Sequence, residues 1–398
     1  MITCIEDLRV LARKRVPRMF YDYADTGSWT ESTYRANESD FQRLLLRQRV
    51  AVNLSQRSTR SRMAGQDVAM PVAIAPTGLT GMQRGDGEML AARAAKRFGI
   101  PFTLSTMSIC AIEDVARATD GHPFWFQLYV MRDREFVKRL IRRAKAAGCP
   151  TLVLTLDLQI SGQRHKDLKN GLGVPPRLTL ANLADMATKP RWLLSIARTP
   201  RRTLGNVFGH VEGVAEVDSL AQWTADQFDP ALSWEDVRWI RDQWPGKLIL
   251  KGIQDPEDAR LALDTGADAL IVSNHGGRQL DGAPSSIRAL PGIVAEVGDR
   301  IEVHMDGGVR SGQDVLKALA LGARGVYIGR AMLYGLGAMG EAGVYRALEI
   351  IRKELDLTMA FCGRRSIDEI DAGVLLDPAA AGVAPGAMSA TAPQRCVA

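Results

Sequence analysis

Ala269-Leu270-Ile271-Val272-Ser273-Asn274-His275-Gly276-Gly277-Arg278-Gln279-Leu280-Asp281 opens as a short apolar run and ends in a polar, glycine-rich one. The run reads as a buried strand. A helix-like stretch follows near Ser285, so His275 and Arg278 sit where a strand ends and a loop begins. That is where α/β folds keep their chemistry. A neutral imidazole can take a proton near neutral pH, and a guanidinium can hold a carboxylate with two hydrogen bonds. Gly276 and Gly277 let the backbone turn sharply between them. On these residues alone, a surface loop without a role is the alternative.

The same pattern extends in both directions. Strand-length apolar runs occur at Pro71–Ala75, Phe102–Ser105, Phe124–Val130, Thr151–Leu156, Leu248–Leu250, Ala269–Val272, Ile301–Met305 and Gly325–Ile328. Helical periodicities lie between most of them. Phe136, Val137, Leu140, Ile141 and Ala144 form one stripe, stopped by Gly148, and Val315, Leu316, Leu319 and Ala320 form another, stopped by Gly322. Eight strands alternating with helices predict an α/β fold of the (β/α)8 TIM barrel type, with a doubly wound open sheet as the alternative.

The expected organisation is a single barrel domain over residues 1–375. It has a helical N-terminal preamble (1–65), a long insertion after the fourth strand (158–233) and a loose Ala/Gly/Pro-rich tail (376–398). Insertions of that length are uncommon unless they serve a function. Within it, residues 189–202 carry Lys189, Arg191, Arg198, Arg201 and Arg202, no acidic residue, and Trp192, Leu193, Leu194 and Ile196. This composition suits an anionic membrane surface. A solvated loop anchored on its own barrel is the competing reading.

Composition narrows the function classes. The 398 residues, 46% of them hydrophobic, can bury a large core. The five cysteines are scattered, without a CxxC pair or metal-ligand spacing, so neither a disulfide framework nor a metal site is expected. Residues 1–18 mix acids and bases without an apolar core, and no run reaches the roughly 18 residues that span a bilayer. The expected location is cytoplasmic, with peripheral contact at the inner face of the cell membrane. A net charge of +6, dispersed and without an aromatic-basic motif, gives no indication of nucleic-acid binding.

In a barrel, the C-terminal strand ends share one mouth. Here they are Pro76-Thr77-Gly78, Ser105, Gln127 with Tyr129, Thr155 with Asp157, Lys251, Ser273 with His275 and Arg278, Asp306-Gly307-Gly308-Val309-Arg310, and Gly329-Arg330. The last two are glycine-rich turns opening helices, each with an arginine, and suit a phosphate. Ser105, Gln127, Thr155 and Lys251 suit the carbonyls and ring nitrogens of a planar heterocycle. A cation such as Lys251 beside a flavin would stabilise its anionic reduced ring. A Schiff-base lysine, or an ion pair with a strand-end Asp, is the alternative for Lys251.

With these motifs the chain resembles the FMN-dependent α-hydroxy-acid dehydrogenase and oxidase family, and most of all its bacterial L-lactate dehydrogenase branch. Tyr21-Asp22-Tyr23, Leu250-Lys251-Gly252 and the His-Gly-Gly-Arg segment complete the match, which covers roughly residues 5 to 370. The resemblance implies His275 as the base and Asp157 as the group orienting it. It implies Arg278, Tyr23, Arg164 and Tyr129 as substrate contacts. FMN would be held by Pro76, Thr77, Gly78, Ser105, Gln127, Thr155, Lys251 and Ser273, with Asp306, Gly307, Gly308, Arg310, Gly329 and Arg330 at its phosphate. It also implies a homotetramer.

The expected reaction is oxidation of an L-2-hydroxy acid, L-lactate first and mandelate or glycolate as alternatives. Gly78 stands where oxidases of the family often carry Ala. Together with the basic insertion, it favours a quinone or cytochrome as electron acceptor over O2. Two rivals remain: a Schiff-base lyase using Lys251, and a flavin-binding module without catalysis.

Overall fold

The computed structural model describes residues 1–172, 177–211, 223, 226–377, 379 and 381–382. Two short antiparallel strands, β1 (Ser61–Met63) and β2 (Gln66–Val68), precede the main sheet. The sheet contains β3 (Val72–Ile74), β4 (Thr103–Ser105), β5 (Trp125–Tyr129), β6 (Thr151–Thr155), β7 (Lys247–Ile253), β8 (Ala269–Val272), β9 (Glu302–Asp306) and β10 (Gly325–Ile328). All eight run parallel in the order β3-β10-β9-β8-β7-β6-β5-β4. A parallel bridge between Ile74 and Phe102 joins the two ends of this order, so the sheet closes into the expected (β/α)8 barrel. β7 runs past its predicted end at Leu250, and its register shifts between Lys251 and Ile253.

Strand alternation decides what fills the lumen. Trp125, Val153, Ile249, Ile271 and Tyr327 form one buried cluster with Met63 of the β1-β2 hairpin, which closes the floor. Trp125 donates its indole N–H to Gln66 of the same hairpin at 3.1 Å. The next inward position on each strand lies one layer higher. That upper layer is Ala75, Ser105, Gln127, Thr155, Lys251, Ser273, Asp306 and Gly329, one residue per strand and mostly polar. The outer helices turn their apolar stripes inward: Phe136, Val137, Leu140, Ile141 and Ala144 are all buried.

Three details differ from the sequence reading. The preamble is helical only in α1 (Ile5–Arg15), α2 (Arg18–Ala24) and α3 (Ser32–Gln42). Beyond them the chain runs along its own C-terminal region, with Leu46 bridging Leu375 and Arg47 N–H donating to Val374 O, and then enters β1. The final helical region is broken in two, Arg330–Met339 and Glu341–Phe361, because Gly340 takes a left-handed φ of 68°. The insertion carries short helices at His165–Lys169, Leu180–Ala187 and Pro190–Arg198. Most of the predicted tail, 383–398, lies outside the described residues. Among the described residues no helix is long and apolar enough to cross a membrane.

Trp125 is 1% exposed and spans from the lumen to the floor hairpin. Trp125→Ala should therefore cost about 3–5 kcal/mol of stability, read as a lower urea midpoint with unchanged slope.

Candidate functional site

The loop after β8 is held in an uncommon backbone state. His275, Gly276 and Gly277 have successive φ values of 57°, 68° and 72°. For His275, a residue with a Cβ, this conformation costs energy and needs support from the surroundings. Support comes from Ser273, whose Oγ accepts the His275 N–H at 3.1 Å, and from Asn274. The Asn274 and Asn37 side-chain amides exchange two hydrogen bonds of 2.9 Å, tying the loop to α3. Gly277 must be glycine: a Cβ there would lie 2.5 Å from the Tyr34 backbone nitrogen.

His275 Nδ1 lies 2.8 Å from Asp157 Oδ1. An ionised carboxylate only accepts, so the Nδ1 proton points at Asp157 and Nε2 of the neutral ring keeps its lone pair. Burial pushes the Asp157 carboxyl up, but the His275 ring, the Lys251 charge and the hydrogen bond from His275 hold it below its usual value. Gly252, at φ 107°, makes room for this pair, since a Cβ there would lie 2.7 Å from the Asp157 side chain.

Lys251 is buried, 2.8 Å from Ser273 Oγ and 3.3 Å from Asp306 Oδ2. Burial pulls its pKa down, yet Asp306 and then Asp157 hold it above the ordinary lysine value. A Schiff-base lysine needs the opposite shift, so the ion-pair alternative fits this residue.

Arg278 donates to Tyr23 O at 2.6 Å, and its guanidinium lies 4.7 Å from the centre of the Tyr23 ring. Burial and the nearby Arg164 charge push it down to about 10. Arg278 and Arg164 are half-buried cations, and with no carboxylate on Arg278 itself they form a locus for an anion. Arg164 is itself paired with Asp167 at 2.6 Å. Tyr129 has its phenol pushed well up by burial and then by Asp157, and packs edge-on against Phe228 at 5.9 Å. On the first strand's side, the loop carrying Pro76, Thr77 and Gly78 rests on the loop after β4, with Leu79 N–H donating to Met107 O at 2.9 Å.

Gly307 and Gly308 (φ 96° and 83°) lead into the helix Gly312–Ala320, and Gly329 opens the helix Arg330–Met339. The two arginines of this site already have protein partners. Arg310 pairs with Glu38 at 2.7 Å, and Arg330 donates to Ala24 O, Thr26 O and Gly276 O at 2.9, 2.7 and 3.0 Å. Each fork keeps further N–H groups for an anion.

The fold thus brings the predicted residues to one mouth. Sequence reading missed Asn37, Asn274 and Asp25, which hold the mouth's loops from behind. Asn274 lies inside the motif and could have been found there. Asn37 and Asp25 lie in the preamble, where no local pattern marks them.

Several buried polar atoms of the mouth lack a partner: Gln127 Nε2, Thr155 Oγ1, Asp157 Oδ2 and Asp306 Oδ1. Such atoms are costly unless a ligand satisfies them, and the first two face the lumen from adjacent strands. A flat heteroaromatic ring with edge donors and acceptors fits this layer.

A site of this kind on a (β/α)8 barrel defines a flavin-dependent oxidoreductase. Residues 12–377 match the FMN-dependent dehydrogenase family model, and the chain belongs to that family. It is 46% identical to an L-lactate dehydrogenase of Caulobacter sp. (strain K31), over 94% of this chain and 98% of that protein. It is also 46% identical to one of Pseudomonas syringae pv. syringae (strain B728a), over 94% and 99%. The crystal structure of monotopic membrane protein (S)-mandelate dehydrogenase superimposes with a TM-score of 0.89 at 40% identity, covering 94% of this chain and 99% of that one. A mandelate oxidase gives 0.79 at 35% identity, with 92% and 96% covered. FMN is the family's cofactor.

Gly277→Ala should destabilise the protein by about 2 kcal/mol or more, since it adds left-handed strain to a backbone clash. A urea melt reads the loss, and FMN retention on gel filtration should fall with it.

Proposed function

We propose that the protein oxidises an L-2-hydroxy acid, L-lactate to pyruvate in the first instance, and passes the electrons to a quinone or cytochrome at the membrane. The observation that carries this reading is the 2.8 Å His275–Asp157 pair in a buried mouth that also holds Lys251 and Arg278. FMN, when bound, would supply the two-electron acceptor that the oxidation requires. Gln127, Thr155, Ser105, Lys251 and Ser273 would hold its ring. Gly307, Gly308, Arg310, Gly329 and Arg330 would take its phosphate.

The protein's own residues supply the rest. Arg278, with Arg164 and Tyr23, binds the substrate carboxylate and fixes the hydroxyl-bearing carbon over the mouth. His275 Nε2 takes the proton released there, and Asp157 stabilises the imidazolium that forms. Lys251 would supply positive charge to the flavin ring when it is bound. Tyr129, kept neutral by burial, donates its hydroxyl hydrogen to substrate oxygen.

Gly78 and the insertion support the membrane acceptor. The Trp192 side chain is used internally: it stacks on Phe20 at 5.4 Å and donates to Met82 O at 2.8 Å. Leu193 and Leu194 on the same helix are 40% and 51% exposed, and Leu180 and Leu183 on the preceding helix are 86% and 49% exposed. The two helices thus offer a leucine face beside basic side chains, the composition of an interfacial anchor. The homotetramer is retained from the family resemblance.

Anaerobic L-lactate should bleach the bound flavin rapidly, and a quinone should restore its colour faster than air does. Fast recovery in air would make the protein an oxidase; no bleaching by L-lactate with bleaching by (S)-mandelate would move the substrate. His275→Gln should keep FMN and lose turnover by about 10²–10⁴-fold, the usual worth of a positioned base. Parent-like turnover in that variant would sink the mechanism.

Replacing Leu180, Leu183, Leu193 and Leu194 together by Ser should leave turnover with a soluble dye unchanged. The same change should abolish co-flotation with anionic phosphatidylglycerol vesicles. Flotation at the parent level would place the anchor elsewhere.

A further inference from the structure

Asp25 lies in the turn between α2 and α3, is 7% exposed, and receives five hydrogen bonds. Tyr34 and Tyr334 each donate a phenolic O–H to Oδ1 at 2.7 Å. Tyr21 donates its hydroxyl to Oδ2 at 2.8 Å, and Arg9 donates Nε and Nη2 to the same oxygen at 3.1 and 3.0 Å. The donors come from α1, α2, α3 and the helix Arg330–Met339. One carboxylate therefore gathers the three preamble helices and a helix more than 300 residues further along the chain.

What these elements hold is the cationic side of the mouth. The segment containing Asp25 offers its carbonyls to the site's arginines: Tyr23 O to Arg278, and Ala24 O and Thr26 O to Arg330. The phenols bound to Asp25 also lie against arginines. Arg330 stands 4.6 Å from the Tyr34 ring centre, and Arg310 stands 5.7 Å from that of Tyr334. A phenol that donates to a carboxylate gains electron density in its ring, which strengthens its attraction for a cation. Burial works against the charge of Asp25, but Tyr334, Tyr34, Arg9 and Tyr21 together keep its carboxyl ionised, well below the usual range.

We infer that Asp25 is a positioning residue for the cofactor phosphate and the substrate carboxylate. It sets the guanidinium groups of Arg330 and Arg310 through the rings of Tyr34 and Tyr334, and that of Arg278 through the carbonyl of Tyr23. The inference rests on the reading that Arg310 and Arg330 meet the FMN phosphate and Arg278 the substrate. Asp25 itself touches neither ligand. Its loss should therefore weaken both binding steps while leaving the bond-breaking step nearly intact.

The test is Asp25→Asn, which keeps the shape and removes the charge and one acceptor. FMN affinity is measured by quenching of flavin fluorescence on titrating the deflavinated protein, a readout that needs no turnover. KM and kcat for L-lactate are then measured at saturating FMN. The expected result is an FMN Kd and a KM each raised about tenfold or more, with kcat within about threefold of the parent. Tyr34→Phe and Tyr334→Phe, which each delete one donor without changing shape, should raise the FMN Kd several-fold and leave KM close to the parent value.

An FMN Kd and KM within twofold of the parent in Asp25→Asn would overturn the inference. So would a loss confined to kcat. If Asp25→Asn does not fold, the two phenylalanine variants decide, and parent-like FMN affinity in both refutes the assignment. Failure of the underlying reading looks different: the parent protein itself would then bind FMN without bleaching by any 2-hydroxy acid.

Discussion

A buried lysine beneath the barrel mouth constrains everything around it. Lys251 cannot stay charged in a packed interior without a partner, and Asp306 at 3.3 Å supplies one from two strands away. The pair can meet because β7, β8 and β9 lie side by side in a closed sheet, with the strand between them contributing only the small Ser273 at this level. Closure of the barrel is thus what lets the mouth hold opposite charges at fixed spacing. The bulge at Gly252 is a second consequence: it lets the chain leave Lys251 while Asp157 packs against its backbone.

The fold was largely legible because its signal is periodic. Eight apolar runs with helical stripes between them can close in few ways, and β8 and β10 fall on their predicted residues. The candidate site was legible for the same reason, since strand ends share one face whatever the helices do. What stayed hidden was the support. The β1-β2 floor hairpin is made of three-residue strands, too short to show alternation. The break at Gly340 sits in a stretch whose apolar pattern continues on both sides. Asn37 pairs with Asn274 across 237 positions and Asp25 with Tyr334 across 309, and no local pattern encodes such pairings.

The preamble changes meaning in this light. Read along the chain, it is a polar lead-in to a barrel; in space, it forms one wall of the mouth. The Gly277 carbonyl accepts the Ser28 N–H at 2.9 Å, and α3 presses its backbone against the Gly-Gly turn that places His275. The strain of the left-handed His275 is therefore offset by contacts that come from outside the barrel. The lumen cluster contains no residue of these helices, whereas the backbone state of the proposed base leans on them directly.

Charge balance explains why the mouth suits its ligands. Arg278 is pushed down to about 10 because burial and Arg164 both disfavour its charged form. If a substrate carboxylate binds there, as proposed, it would offset that penalty. Gln127 and Thr155 follow the same logic with neutral groups, since their unpaired atoms are costs that a flavin edge would remove. The site is destabilised in just those places where a ligand can compensate. Stability is supplied elsewhere, in the apolar lumen below and the Asp25 lattice behind. Separating the two is what allows a mouth short of its own hydrogen-bond partners to stay folded and ready to bind.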